Sequence, residues 1–182
     1  MLTSAETDGA VILITGIMAS GKTTVAKELA GRLPRAAHVG GDVFRRMIVS
    51  GREEMLPEPT PGALAQLHLR QRLSASCADQ YAEAGFTAVV QDILLGDDLP
   101  AYVARVRARP LYVVVLAPRP EVVAAREAAR AKSGYGPWTV EALDAGLRAT
   151  PRLGLWLDSS DLTPRETVDA LLAGLPEARV DT

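Results

Sequence analysis

The sequence predicts an α/β fold, a mostly parallel sheet wound by helices on both faces. Three observations predict it. Five short segments, 11–14, 37–39, 87–90, 111–116 and 155–157, are apolar almost throughout; strands buried on both faces read this way, whereas strands with one wet face alternate with polar residues. Helix-compatible stretches alternate with them, at 22–33, 62–84, 99–107, 121–132, 140–149 and 164–172, the order that parallel crossovers require. The chain of 182 residues is 48% hydrophobic and 23% charged, the size and composition of one domain with a core of its own.

In chain order, residues 1–9 are polar and acidic, and lack the apolar stretch of a secretory signal, so they are expected to form a flexible leader. The first strand, Val11-Ile12-Leu13-Ile14, runs through Gly16 to Thr23 into the first helix. The second, Ala37-His38-Val39, ends in Gly40-Gly41-Asp42, with a helix expected from Val43. Pro57, Glu58, Pro59 and Pro61 make Gly51 to Gly62 an exposed loop near the acceptor. The third strand, Thr87-Ala88-Val89-Val90, ends in Gln91-Asp92, and Asp97 and Asp98 open the helix that follows. After the fourth strand, Ser133-Gly134-Tyr135-Gly136-Pro137 reads as a hinge within a lid near 119–138. Thr163-Pro164-Arg165-Glu166 places a cap, a first-turn proline and an acid at the start of the last helix. The domain is expected over 10–175, with 176–182 as a tail.

The bulk properties exclude several classes. A net charge of -2 without a basic tract argues against nucleic acid as a partner. The longest apolar stretches, 10–14 and 111–117, fall far short of the ~20 residues that span a bilayer, so a membrane is not expected and a cytoplasmic location is. The single cysteine, Cys77, forms no intrachain disulfide and reads as a small buried apolar residue. His38 and His68 are isolated, without metal-ligand spacing, and read as structural.

Gly16-Ile17-Met18-Ala19-Ser20-Gly21-Lys22-Thr23 matches G-x-x-x-x-G-K-[ST] and lies between a strand and a helix, where that motif cradles a nucleoside triphosphate. Gly16 and Gly21 allow Ala19, Ser20 and their neighbours to turn backbone N–H groups inward at the positive end of the helix. Lys22 adds a mobile positive charge for the γ-phosphate, Thr23 a hydroxyl for Mg²⁺, and Thr24 a donor for the α-phosphate. ATP and GTP fit equally.

Transfer chemistry needs residues beyond this loop. Asp42 stands after the second strand as a candidate general base for an acceptor hydroxyl, or as a helix cap, and the two roles are compatible. Arg45 is a candidate acceptor ligand one turn on. Asp92, beside the phosphate loop, is a candidate for Mg²⁺ or for the acceptor, with a loop or cap carboxylate as the alternative. Arg126 and Arg130 share a helix face at i, i+4 and can present guanidinium groups to phosphates as a lid closes, with a solvated face paired with Glu127 as the alternative, and Arg119 also fits ordinary surface. Tyr135 and Trp138 read either as the lining of a ring-binding pocket or as core packing and lid anchors.

On Gly16 to Thr24, Gly41-Asp42, Gln91-Asp92-Ile93-Leu94-Leu95-Gly96 and the arginine-bearing helix, the chain resembles the chloramphenicol phosphotransferase-like group of small P-loop kinases. That group is similar in turn to shikimate, gluconate and adenylylsulfate kinases. The resemblance implies a P-loop NTPase three-layer sandwich with a parallel sheet in the order 2-3-1-4-5 and a base at Asp42. It also implies phosphorylation of a hydroxyl on an antibiotic-like or nucleoside-like small molecule, and a nucleotide-base wall at Asp158-Ser159-Ser160-Asp161-Leu162, with Ser159 and Ser160 toward the cofactor. The chain departs from chloramphenicol phosphotransferase at 51–69 and 134–138, which leaves the acceptor open. The remaining readings are a nucleotide-binding regulator without an acceptor and a nucleoside or nucleotide kinase, as a monomer or homodimer.

Overall fold

A computed structural model describes residues 7–129 and 135–180. Five strands, β1 (Val11–Gly16), β2 (Ala36–Gly40), β3 (Thr87–Gln91), β4 (Leu111–Leu116) and β5 (Leu155–Leu157), form one parallel sheet in the order β2-β3-β1-β4-β5. Each expected strand is present, extended by a residue or two in β1, β2 and β3. The helices are α1 (Lys22–Arg32), α2 (Gly41–Arg46), α3 (Pro61–Glu83), α4 (Asp98–Arg105), α5 (Pro120–Ala128), α6 (Val140–Arg148), α7 (Pro164–Ala173) and α8 (Leu175–Ala178).

Side-chain alternation splits the core into two layers. Val11 and Leu13 of β1, Val90 of β3, and Val113 and Val115 of β4 pack with Ala75 and Ala78 of α3, Tyr102 of α4 and Leu143 of α6. Ile12, Ile14, Val89, Val114 and Leu116 point the other way, against Val25 and Leu29 of α1 and Val168 and Leu171 of α7. Both faces of β1 and β4 are covered, which is why their sequences do not alternate. Burying each such Val, Leu or Ile contributes about 1.5–3 kcal/mol relative to leaving it exposed.

Local chemistry sets the helix starts. Thr60 accepts from Ala63 N ahead of Pro61, Thr139 accepts from Ala142 N, and Thr163 with Glu166 forms a reciprocal capping box. Residues 176–180, within the expected tail, are packed: Ala178 is fully buried and Val180 N donates to Leu111 O at 2.9 Å. At the other end Thr7 is buried and its carbonyl accepts from Thr87 Oγ1. Cys77 is half-buried against the α3-side core rather than fully enclosed.

Candidate active site

All five strands point their carboxyl ends at one rim, where ligands of open parallel sheets bind. The phosphate loop follows β1, Asp42 follows β2, Asp92 follows β3, Arg119 follows β4 and Ser159 follows β5.

The loop after β1 is preformed. Gly16 has φ 145° and Gly21 has φ 98°, and between them Ala19, which carries a side chain, is also left-handed at φ 61°. A Cβ on Gly16 would lie 2.5 Å from Leu116 O and 2.8 Å from Ser20 Oγ, so only glycine fits between the loop and β4. Gly21 is the N-cap of α1 and has no side-chain cap, leaving the first-turn N–H groups of α1 to an anion. Ser20 is buried and its Oγ has no hydrogen-bond partner. Lys22 is 8% exposed and its Nζ donates to Ile17 O at 2.6 Å, which folds the ammonium across the loop. Thr23 and Thr24 are exposed in the first turn of α1.

Beside this loop lies a buried ion pair. Arg70, from the middle of α3, donates to Asp92 Oδ1 at 2.9 Å, and Ile93 N donates to the same oxygen at 2.8 Å. Among the described residues Asp92 Oδ2 has no partner, and neither has Arg70 Nε, although both atoms are buried. Burial pushes the Asp92 carboxyl above its ordinary range, against the pull of Arg70, the Ile93 N–H and Lys22, and Asp42 pushes the same way as burial. Gly41 makes the close approach of α2 possible, since a Cβ there would overlap the Asp92 carboxylate.

Asp42 does not cap its helix. The N-cap is Gly40, without a side-chain bond, and Asp42 sits in the first turn with its side chain 53% exposed. Arg45 approaches it at 3.4 Å and Arg46 at 3.3 Å. Arg45 also pairs with Glu54, whose carboxyl it holds below the usual range. This corrects the cap alternative and leaves Asp42 a carboxylate facing open space.

The expected arginines part company. Arg126 joins the phosphate loop to the loop after β5, donating to Ser20 O at 3.4 Å and to Ser159 O at 2.8 Å. Arg119 turns away from the phosphate loop into a bidentate pair with Asp161, at 2.9 and 3.0 Å, and a bond to Glu121. Its backbone N donates to Ser160 Oγ, which donates on to Asp158. Ser159 is buried with its Oγ unpartnered. Arg130 lies outside the described residues.

A cleft of about 710 Å³ opens next to the loop, lined by Met18, Asp42, Arg45, Arg70, Ile93 and Trp138 among others. Tyr135 is buried and its hydroxyl donates to Met18 O at 2.7 Å, while Trp138 Nε1 donates to Met55 O at 3.1 Å. These two side chains therefore both line the cleft and tie the residues just ahead of α6 to its walls. The 51–60 loop closes another side, held to α3 by Gln66, which accepts from Glu53 N and donates to Gly51 O.

A family model described as an AAA domain, AAA_33, matches residues 11–153. The chain belongs to that family. Its fold is the one found in small P-loop kinases. The Mycobacterium tuberculosis APS kinase CysC, solved with AMPPNP and APS, is 18% identical with a TM-score of 0.70, covering 93% of this chain and 98% of that one. A sugar kinase from Janibacter sp. HTCC2649 is 21% identical with a TM-score of 0.66, covering 93% and 95%. The Deinococcus radiodurans tunicamycin resistance protein is 13% identical with a TM-score of 0.64, covering 95% and 99%. No curated protein matches by sequence.

This AAA_33 chain fits a nucleoside triphosphate on its own geometry, through the N–H groups of the loop, the unpartnered Ser20 Oγ and the cradle that only Gly16 permits. Among the described residues no group of three His, Cys, Asp or Glu side chains can hold a metal ion by itself. Sequence reasoning missed Arg70. Its helix buries further polar side chains, Gln71, Ser74 and Asp79, but the partner of Arg70 lies 22 residues away on another element. No helix among the described residues is long and apolar enough to cross a membrane.

Proposed function

We propose that this protein is an NTP-dependent phosphotransferase that moves the γ-phosphate to a hydroxyl of a small molecule. The observation that carries the reading is the shared cleft: Met18 of the phosphate loop and the Asp42 carboxylate line one cavity, and Asp92 between them feels the charges of both Lys22 and Asp42. A bound nucleoside triphosphate, ATP or GTP, supplies the phosphoryl group, and Mg²⁺ shields its charge.

The chain's own residues do the rest. The N–H groups after Gly16 and at the start of α1 hold the phosphates, and Lys22 exchanges Ile17 O for a phosphate oxygen. Thr23 and Asp92 would hold the cation, and Thr24 would reach the α-phosphate. Asp42 accepts the proton of the acceptor hydroxyl as the oxygen attacks, and Arg45 fixes the orientation of that carboxylate. Arg126, already bonded to both nucleotide-facing loops, brings a positive charge to the transferring group. Ser159 and Ser160 form the wall for the base, and Arg119 holds that wall in place through Asp161. Tyr135 and Trp138 close the lid segment over the cleft and exclude water from the transfer. Within this reading the acceptor is an antibiotic-like or nucleoside-like alcohol, and the reaction belongs in the cytoplasm, where triphosphates are supplied.

Incubation with γ-labelled ATP or GTP and a panel of sugars, nucleosides and hydroxylated antibiotics is expected to label one acceptor class. Tight nucleotide binding with no labelled acceptor across the panel would overturn the reading.

A further inference from the structure

The cleft has an unusual charge balance for a pocket that works on phosphates. Among the described residues four carboxylates line it, Asp42, Glu53, Glu54 and Asp98, against two guanidiniums, Arg45 and Arg70. Both cations are engaged: Arg45 pairs with Glu54 and Asp42, and Arg70 pairs with Asp92 beneath the floor. Among the described residues, an anionic acceptor would meet an excess of negative charge and would have to break one of these pairs to find a partner. The rest of the wall is apolar, with Met18, Met55, Leu56, Leu67, Ile93 and Trp138.

Among the four carboxylates Asp98 stands apart. Glu53 accepts from Thr60 Oγ1, and Glu54 and Asp42 face arginines. Asp98, half-buried in the first turn of α4, makes no side-chain hydrogen bond or ion pair among the described residues. It enters the cleft from a different element than Asp42, which comes from α2, with Ile93 and Leu95 from the preceding loop beside it. An unpaired carboxylate in an apolar wall binds a cation or a strong donor better than it binds water alone. Trp138 is fixed through its indole N–H to Met55 O and adds a ring to the same wall.

We infer that the acceptor is an amphipathic alcohol carrying a protonated amine, and that Asp98 is the residue that selects the amine. The inference rests on the cleft being the acceptor site proposed above. It assigns the hydroxyl to Asp42, the ammonium to Asp98, and the apolar body to the wall between α3, the 51–60 loop and Trp138.

The test is a binding measurement that needs no turnover. Three probes share a phenyl ring and a hydroxyl: phenylalaninol carries an ammonium, N-acetylphenylalaninol is neutral, and 3-phenyllactate is anionic. Each is titrated by calorimetry or ligand-observed NMR into the full chain loaded with a non-hydrolysable triphosphate and Mg²⁺. Phenylalaninol is expected to bind at least tenfold more tightly than 3-phenyllactate, with the neutral probe between. Asp98→Asn should cut the preference for phenylalaninol over its N-acetyl form by about fivefold or more, and leave the neutral probe's affinity within twofold. Circular dichroism and nucleotide affinity serve as controls that the variant is folded.

Equal or tighter binding of 3-phenyllactate overturns the inference. So does an unchanged ranking in folded Asp98→Asn, or no binding of any probe at millimolar concentration. Failure of phosphoryl transfer with the charge ranking intact would instead count against the phosphotransferase reading alone.

Discussion

Replacing Arg70 by methionine tests the corner that joins the phosphate loop to the cleft. The substitution keeps most of the aliphatic stem but removes the guanidinium that donates to Asp92 Oδ1 at 2.9 Å, leaving a carboxylate whose side chain is 5% exposed. Breaking a buried pair from one side typically costs about 3–5 kcal/mol. Ile93 N still donates to Asp92 and Lys22 remains nearby, while Arg70 is itself 15% exposed, so the loss belongs at the lower end, about 3 kcal/mol. For a chain of this size that corresponds to a fall in Tm of roughly 6–12 °C.

The loss should also depend on pH, with a definite sign. Burial already raises the native Asp92 carboxyl above its ordinary value, and Arg70 is the strongest influence opposing that rise. In Arg70→Met the native value climbs further. The native state then binds more protons than the unfolded chain at pH values between the ordinary carboxyl range and the raised one. Acidification through that window therefore favours folding, so the deficit of Arg70→Met should be full above the raised value and shrink as pH falls through it. Urea denaturation of wild type and variant at several pH values measures this directly. A deficit that stays constant or grows on acidification, or one below about 1 kcal/mol at neutral pH, would refute the buried-pair reasoning. The double change Arg70→Met with Asp92→Leu should recover most of the lost stability.

Three further outcomes follow from the same geometry. Gly16→Ala puts a Cβ against Leu116 O at a φ of 145°, so nucleotide affinity by calorimetry should drop at least tenfold, on the order of 1.4 kcal/mol or more; affinity within twofold of wild type would contradict the cradle. Arg126→Ala removes the link between Ser20 O and Ser159 O, and turnover should fall on the order of a hundredfold with Lys failing to restore it, because one ammonium does not span both carbonyls. Mg²⁺-dependent nucleotide affinity should weaken as pH falls through an Asp92 value above the ordinary carboxyl range, since cation binding needs the ionised form, and Asp92→Asn should abolish that dependence.

The strands were legible because burial on both faces writes itself into continuous apolar runs such as Leu111 to Leu116. The phosphate loop was legible because its backbone demands glycine at two positions, and the helix from Pro164 because its cap, proline and acid act over four adjacent residues. What the sequence hid were pairings between elements far apart in the chain. Arg70 meets Asp92 across 22 residues, Tyr135 meets Met18 across 117, and Arg119 leaves the phosphates for Asp161 across 42. No local period encodes such contacts. Asp42 shows the same limit in another form, because an acid after a β-strand and before a helix reads equally as cap or base, and only the backbone at Gly40 decided against the cap. The packing of Ala178 and Val180 on β4 was likewise invisible, since a four-residue helix is too short to show a period.

In the proposed reaction Asp42 and the phosphate loop act on one acceptor hydroxyl. A single-turnover experiment with γ-labelled triphosphate, Mg²⁺ and an acceptor identified from the panel, run on wild type and Asp42→Asn, tests it most directly. Wild type should place the label on the acceptor oxygen with one diphosphate formed per product, and Asp42→Asn should slow this on the order of 100- to 10,000-fold while binding nucleotide normally. Label released to water at the same rate by both proteins, with none on the acceptor, would contradict the account.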